Sequence, residues 1–458
     1  MTDSPAYKPS RYNLWGSTDN NRSFLFNTRT ARLLKFSTHD VEQKVKEILN
    51  HPDKQKKSEE KLKSTLLENG YLLRQEVDEM NLLKIKNRLK RFSTNDISLT
   101  IAPTLDCNFR CIYCFESRKK EVMDDEVSAS LVKFFKKEAR AKVHFRVLWF
   151  GGEPLLAFNR VKELTGHLSE ICSASGARYV SNMSTNGYLL DKVPPGFFKE
   201  SNFSSIQITI DGDESTHDKR RPLPGGKGTF RQILSNAKNI IENGLVPTVF
   251  IRINVDQDNS DKLENLLDEL EKRGLKNKRG VGIYVAMVDD IGGVCANVRG
   301  NIYGDTRKFA ELEVEFGKTL IEKGFYLTWK PVPRASCCIA DLYKGYVIAP
   351  KGDIYKCWTE IGNRSLSVGR ITENGQLALN HNLTKWVAWD PFEQEECREC
   401  RYLPLGMGSC LYHVLRSDGQ SKKPCPTIRY NLKEMLALSC KAEEKMGENA
   451  SFVKRIEV

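Results

Sequence analysis

Three cysteines, Cys107, Cys111 and Cys114, fall within eight positions in the stretch LDCNFRCIYCFE. Where thiols stay reduced, such crowding points to a metal site before a disulfide framework. Structural zinc asks for four ligands, often as two spaced pairs, and no second pair or histidine stands near these three. Haem attachment needs a histidine after the last cysteine, where Phe115 stands. A [4Fe–4S] cubane takes four thiolates, so three leave one iron open to a ligand that chelates through an amine and a carboxylate.

Other unusual residues recur at one kind of place. The segment 97–290 alternates strand patterns, from ISLTIAPT to VGIYVAMV, with amphipathic helices such as DEVSASLVKFFKKEAR. Six β/α units in series imply a parallel sheet, doubly wound or curled into an incomplete barrel, with chemistry at the carboxyl ends of its strands. The cysteine loop follows strand one, GGEP (Gly151, Gly152, Glu153, Pro154) strand two, STNG strand three and DGD strand four. Chance would scatter them over both ends.

The flanks differ. Residues 11–36 read as a hairpin, followed by three helical stretches, VEQKVKEIL, KLKSTLLENGYLL and VDEMNLLKIKNRLKRF, which together suggest a winged-helix-like unit. From 336 onward Cys337, Cys338, Cys357, Cys397, Cys400, Cys410, Cys425 and Cys440 crowd a stretch with little apolar mass, so metal–thiolate bonds are expected to organise it.

Bulk properties bound the rest. At 458 residues, 40% hydrophobic and 28% charged, the chain reads as a soluble protein of two or three domains. No apolar run approaches the roughly 20 residues of a membrane span, and no signal segment opens the sequence, so a cytoplasmic location with no membrane partner is expected. A net charge of +12 fits nucleic acid, an anionic peptide or an anionic cofactor. The cations are spread along helices rich in glutamate, so charge alone decides nothing.

The cysteine loop, with aromatic Tyr113 before its last cysteine, resembles the signature of radical S-adenosylmethionine (SAM) enzymes. By that resemblance Cys107, Cys111 and Cys114 hold a [4Fe–4S] cluster whose open iron binds SAM, and GGEP lies against the methionine amino group. Reductive cleavage then gives a 5′-deoxyadenosyl radical that abstracts hydrogen from substrate. Ser184, Asn186 and Arg221, with Arg252 and Asn254, are the implied SAM contacts.

The C-terminal third resembles a SPASM domain. Cys338, thirteen residues, Gly352, four residues and Cys357 match its first half, as Cys337 also does; CRECRYLPLGMGSC matches its second at Cys397, Cys400 and Cys410. Gly406 stands where the family usually has cysteine, with Cys425 available as the last ligand. The resemblance implies one auxiliary [4Fe–4S] cluster on Cys337 or Cys338, Cys357 and Cys410, and a second on Cys397, Cys400 and Cys425 that is three-ligated, completed by an outside group, or absent. The N-terminal unit resembles a RiPP recognition element, which binds peptide leaders by strand addition.

The expected architecture is α/β: a partial (β/α)6 TIM barrel at 96–300, a winged-helix-like domain at 1–95, a bridging segment at 301–335 and a SPASM domain at 336–458. The implied function is a radical SAM maturase of a ribosomal precursor peptide, of the ranthipeptide or sactipeptide thioether-forming type. Carbon–carbon cross-linking, epimerisation and sulfatase-type maturation stand behind it. Implied partners are the precursor, its leader on the N-terminal unit, and an electron donor such as flavodoxin or ferredoxin; no nucleic acid is expected. Cys295, Asp289 and Asp290, after strand six, are the candidate catalytic groups. Cys440 and Cys172 read as core thiols and His217 as a hydrogen-bonding residue at a helix start. A zinc-stabilised winged-helix protein binding nucleic acid would explain charge and cysteines but not GGEP, STNG or the six β/α units.

Overall fold

The computed structural model describes residues 6–54, 57–116, 118–289, 296–416, 425–450 and 453–457. Asp290 and Cys295 lie outside them.

Its strands are β1 (Tyr7–Pro9), β2 (Asn13–Ser17), β3 (Ser23–Asn27), β4 (Arg32–Lys35), β5 (Leu72–Arg74), β6 (Asp96–Ile101), β7 (His144–Trp149), β8 (Arg178–Thr185), β9 (Phe203–Thr209), β10 (Thr248–Val255), β11 (Val281–Met287), β12 (Gly345–Ile348), β13 (Asp353–Tyr355), β14 (Gly369–Ile371), β15 (Leu377–Leu379) and β16 (Lys454–Glu457). The helices used below are α1 (His39–Asn50), α2 (Glu60–Glu68), α3 (Glu79–Arg91), α4 (Asp125–Glu138), α5 (Phe158–Ser175), α6 (Gly196–Glu200), α7 (Glu214–Arg220), α8 (Phe230–Glu242), α9 (Leu263–Lys272) and α10 (Thr306–Glu322).

Strands β6 to β11 lie side by side in chain order and all parallel, as a series of right-handed β/α crossovers requires. Alternation is set by burial: Ile97, Leu99 and Ile101 of β6 and Ile251 and Ile253 of β10 face the helices and are fully or nearly buried. Helix α4 begins where the Asp124 carboxylate accepts the Val127 N–H, and it buries Val127, Leu131, Phe134 and Phe135 against the sheet.

The cysteine-rich region does not stand apart from this core. β12 pairs in parallel with β6, and β13, β14 and β15 continue the same ten-stranded sheet. Tyr346, Ile348, Ile354, Val368, Ile371 and Trp386 join the hydrophobic core of the parallel strands. The region expected to be organised by metal–thiolate bonds thus also shares that hydrophobic core. β12 and β13 form an antiparallel hairpin that turns at Lys351-Gly352, where Gly352 adopts a φ of 83°.

In the N-terminal unit β2, β3 and β4 form an antiparallel meander, and β16 adds to β4 in parallel. The second expected helix is too long. It stops at Glu68, because Gly70 takes a left-handed φ of 78°, and Leu72–Arg74 instead pair with β1. α3 docks on the C-terminal region: Asn87 Nδ2 donates to the Ala335 carbonyl at 2.8 Å and Arg91 Nη2 to the Val387 carbonyl at 2.9 Å. Among the described residues no helix is long and apolar enough to cross a membrane.

Candidate active site

The loop bearing Cys107, Cys111 and Cys114 leaves the carboxyl end of β6 and is closed at its neck. Leu105 N–H donates to the Glu121 carbonyl at 3.0 Å and Met123 N–H to the Pro103 carbonyl at 2.8 Å. Its tip is pinned from across the barrel mouth, by Arg110 N–H to the Pro222 carbonyl at 2.8 Å and Ile112 N–H to the Arg220 carbonyl at 3.1 Å. Phe109 anchors it from below, buried in the core.

The paired glycines after β7 have a steric reason. A Cβ on Gly151 would lie 2.3 Å from the Thr104 carbonyl oxygen, and one on Gly152 2.3 Å from that of Asp106. With glycine, Gly152 N–H reaches Thr104 at 3.3 Å and Glu153 N–H reaches Asp106 at 2.9 Å, so GGE runs directly against the cysteine loop. Glu153 is fully buried. One carboxylate oxygen accepts from Leu155 N–H (3.0 Å) and Thr185 Oγ1 (2.8 Å), the other from Asn186 N–H (2.7 Å). Asn186 Nδ2 in turn donates to Asn108 Oδ1 at 2.8 Å, tying STNG to the loop.

Tyr113 is the hub on the far side. Its hydroxyl bonds to the Asp211 carboxylate and accepts from Arg221 Nη1 at 2.5 Å and Asn254 Nδ2 at 3.0 Å. Arg252 Nε donates to Asn254 Oδ1 at 2.8 Å, and Ser184 Oγ accepts from Gln207 Nε2 at 3.1 Å. Asp211 is seated by His217, whose Nδ1 accepts the Asp211 N–H at 3.1 Å. Burial holds that imidazole well below its ordinary pKa of 6.5, with Arg221 and Arg220 adding to the effect. His217 is thus the hydrogen-bonding residue that its place near a helix start suggests.

Burial pushes the Cys107 thiol up to about 12 and the Cys114 thiol to about 11, so neither ionises unless positive charge is bound beside it. Among the described residues, three buried polar atoms at the site have no hydrogen-bond partner, Glu116 Oε2, Arg220 Nε (3.8 Å from the Asp211 carboxylate) and Arg221 Nε. Burial lifts the Glu116 carboxyl to about 8, with Glu153 adding repulsion. An orphaned acceptor and an orphaned donor complement the ammonium and the carboxylate of an α-amino acid. Among the described residues no three His, Cys, Asp or Glu side chains converge on a point that one metal ion would fill. A four-iron core spreads its thiolates farther apart, each on its own iron, and this donor set fits that group.

The C-terminal cysteines fall into two neighbourhoods. Cys338, Cys357 and Cys410 lie within electrostatic reach of one another, and Cys337 Sγ stands 3.6 Å from Cys338 Sγ. Cys425 lies within electrostatic reach of Cys400, Cys400 N–H donates to the Cys397 carbonyl, and Arg429 Nη1 sits 2.9 Å from Cys425 Sγ. A cavity of about 1060 Å³ lies between them and the end of β11, lined in part by Cys337, Cys338, Cys410, Cys425, Gly406 and Asp289. Asp289 Oδ2 is 2.6 Å from His413 Nε2 there. Cys440 and Cys172 are buried in apolar clusters. His413 was not anticipated, although it stands one helical turn past Cys410; Glu116 was missed because a carboxylate two places past a ligand carries no pattern of its own.

Residues 101–270 match the model of the Radical SAM superfamily. This segment is a radical SAM domain. Similar proteins include Fe-coproporphyrin III synthase of Methanosarcina barkeri, 26% identical over 243 residues, 53% of this chain and 57% of that protein. The cysteine-type anaerobic sulfatase-maturating enzyme of Clostridium novyi is 30% identical over 152 residues, 31% of this chain and 40% of the other. The chain thus spans about half the length, or less, of these curated relatives. A solved structure, native anSMEcpe with bound AdoMet and Cp18Cys peptide, shares the fold with a TM-score of 0.55 at 19% identity, over 77% of this chain and 99% of that one. The radical SAM domain accounts for the loop, GGEP and STNG.

Proposed function

We propose that the chain is a radical SAM enzyme that modifies a ribosomally made peptide, with thioether cross-linking of a substrate cysteine as the leading chemistry. The observation that carries the reading is the three-thiol loop framed by an orphaned Glu116 acceptor and an orphaned Arg221 donor. Cys107, Cys111 and Cys114 hold the [4Fe–4S] cluster. Glu116 would orient the ammonium of SAM and Arg221 its carboxylate, with Ser184 and Asn186 as candidate contacts to its ribose or carboxylate. When bound, cluster and SAM supply the electron and the carbon-centred radical that removes a hydrogen atom from substrate.

The 1060 Å³ cavity is the place for the substrate peptide. Cys337 or Cys338, with Cys357 and Cys410, form the donor set for one auxiliary cluster; Cys397, Cys400 and Cys425 form that for a second, short of one thiolate at Gly406. The Asp289–His413 pair is placed to take the proton of a substrate thiol. The sulfatase-maturating relative and the peptide bound to anSMEcpe support a peptide substrate without choosing among the chemistries. The N-terminal unit, as a recognition element, would hold the leader, and a flavodoxin- or ferredoxin-like donor would deliver the electron.

The test is anaerobic: reconstituted protein with reductant and SAM should form 5′-deoxyadenosine, and Cys107→Ala/Cys111→Ala/Cys114→Ala should form none. Undiminished product from the triple variant would overturn the assignment.

A further inference from the structure

Helix α3 has two faces, and the chain packs against only one. Inward, Leu83 clusters with Tyr12, Phe392, Leu403 and Met407, and Cys397 and Cys400 lie against that cluster. On the same side Asn87 donates to the Ala335 carbonyl, two places before Cys337, and Arg91 Nε to the Asp341 carbonyl at 3.2 Å. The Asp341 carboxylate accepts the Cys337 N–H at 3.0 Å. Both C-terminal groups of thiols thus reach this helix through a single layer of side chains.

Outward, Leu82, Ile85 and Leu89, with Phe92 at the C-cap, recur at 3-4-3 spacing and form one stripe. They are between 49% and 72% exposed, and Tyr343, at 40%, joins them through its N–H bond to the Arg91 carbonyl at 2.7 Å. These five are half of the ten large apolar side chains that stand exposed among the described residues. Single exposed apolar residues need no explanation, but a ridge of them marks a contact surface.

Cations border the ridge. Lys84, Lys86, Arg88 and Lys90 follow one another along α3, whose one carboxylate, Glu79, is buried at its start and held by Ser10, the Arg11 N–H and Arg29. Two carboxylates approach from other elements. Asp390 stands 3.9 Å from Arg88, and Asp96, 3.1 Å from Lys90, is shared with Arg146 at 2.8 Å. Five cations, Arg146 included, therefore meet two anions, and Lys84 and Lys86 have no ion-pair partner among the described residues. Such a ridge fits a partner whose apolar contact spot is ringed by carboxylates. What lies behind it selects among acidic partners. A helix with its side chains is about 10–12 Å across, so a redox centre held on the outer face stands about that far from the thiols behind. Electron-transfer contacts are small and steered by charge, as this surface is.

We infer that the outer face of α3 is the docking surface of a small acidic electron-transfer protein, which delivers electrons to the auxiliary clusters across the helix. The inference rests on the reading of the C-terminal cysteines as cluster ligands and goes beyond it by giving the partner a place. In the step itself the reduced partner loses one electron and one auxiliary cluster gains it, with no proton moved.

The probe is a plant-type ferredoxin, a small acidic [2Fe–2S] protein, titrated into the full-length reconstituted enzyme. Binding should weaken as salt rises. Lys84→Glu/Lys86→Glu should weaken it about tenfold or more, whereas Lys318→Glu/Lys433→Glu, the same charge change on other helices, should move it by less than about twofold. Leu89→Ser/Phe92→Ser alters no charge and should also weaken it about tenfold. In Cys107→Ala/Cys111→Ala/Cys114→Ala the auxiliary clusters are the only acceptors. Stopped-flow mixing should oxidise reduced ferredoxin there, and adding Leu89→Ser/Phe92→Ser should slow that oxidation about tenfold. Equal affinity in all variants, or oxidation that none of them slows, overturns the inference. So does a dimer that Leu89→Ser/Phe92→Ser abolishes, or tighter binding of a glutamate-rich peptide than of ferredoxin, since either gives the ridge to another occupant. Absence of iron from the triple variant overturns the auxiliary-cluster reading and this inference with it. Formation of 5′-deoxyadenosine with dithionite as reductant is measured on each surface variant; its retention separates loss of this docking face from failure of the radical SAM reading.

Discussion

The 107–114 loop and the 397–425 segment each carry three thiols, and the chain frames them differently. Around the first, loop N–H groups bonded to the Pro222 and Arg220 carbonyls, the close approach of Gly151 and Gly152, and the Asn108–Asn186 bridge fix the loop from three sides. Around the second, Cys397 and Cys400 sit on a short helical turn packed against Tyr12 and Leu83 of the N-terminal unit, and Cys425 has Arg429 beside it. The first frame is held by hydrogen bonds and close backbone approaches of the protein itself. The second leaves more to the metal, and its pattern is one thiolate short.

The largest expected effect comes from the first frame. Gly152→Ala drives a methyl into the Asp106 carbonyl, whose carbon would also be 2.6 Å away, with only backbone to move. A cost of about 3 kcal/mol is expected, at the upper end for overpacking. Chemical denaturation measures it, and iron bound at Cys107, Cys111 and Cys114 should fall while the auxiliary sites keep theirs. Equal loss at both would erase the contrast.

Glu153→Gln swaps one acceptor oxygen for an amide that cannot serve Leu155, Thr185 and Asn186 together. Leaving one buried donor unsatisfied costs about 1–3 kcal/mol. The checks are thermal melting and a weakened affinity for SAM.

A smaller effect follows pH. The folded pKa of His217 lies well below 6.5, so below that value the unfolded chain binds a proton that the folded chain refuses. Stability is therefore full above pH 6.5 and falls as pH drops toward the folded pKa, by up to about 1.4 kcal/mol per unit. Melting curves of wild type and His217→Gln should differ in slope between pH 7 and 5, the variant being flatter. Identical slopes would remove His217 from the seat of Asp211.

Smallest in stability is the test of the second frame. A Cβ on Gly406 would meet only the Pro426 ring, at 3.4 and 3.7 Å, and Gly406 lines the same cavity as Cys425. Gly406→Cys should fold as wild type and change the EPR signal of that cluster, because ligand identity sets its electronics. Cys440→Ala should keep its iron, since Cys440 lies among Leu14, Phe24, Leu432 and Leu436. Iron loss in Cys440→Ala with a silent Gly406→Cys would make Cys440 the displaced ligand.

What the sequence made legible was local. Strand alternation and the Gly-Gly, Asn-Gly and Asp-Gly punctuation placed the four motifs at the ends of consecutive strands, where the structure has them. Pairings between distant segments were not readable: β12 joins β6, β16 joins β4, and Asp289 meets His413 across 124 positions. No local propensity records such partners. The overlong second helix failed for another reason, a helical pattern that ran through Asn69-Gly70 into Leu72, where left-handed Gly70 redirects the chain.

The central claim is that the framed loop holds a cluster with one open iron that SAM occupies. EPR of the reduced, anaerobically reconstituted protein, recorded with and without SAM, tests it most directly. The account predicts a [4Fe–4S] signal that shifts on SAM addition and that disappears, with its shift, in Cys107→Ala/Cys111→Ala/Cys114→Ala while auxiliary signals persist. A spectrum indifferent to SAM in the wild type, or a SAM-dependent shift surviving in the triple variant, would contradict it.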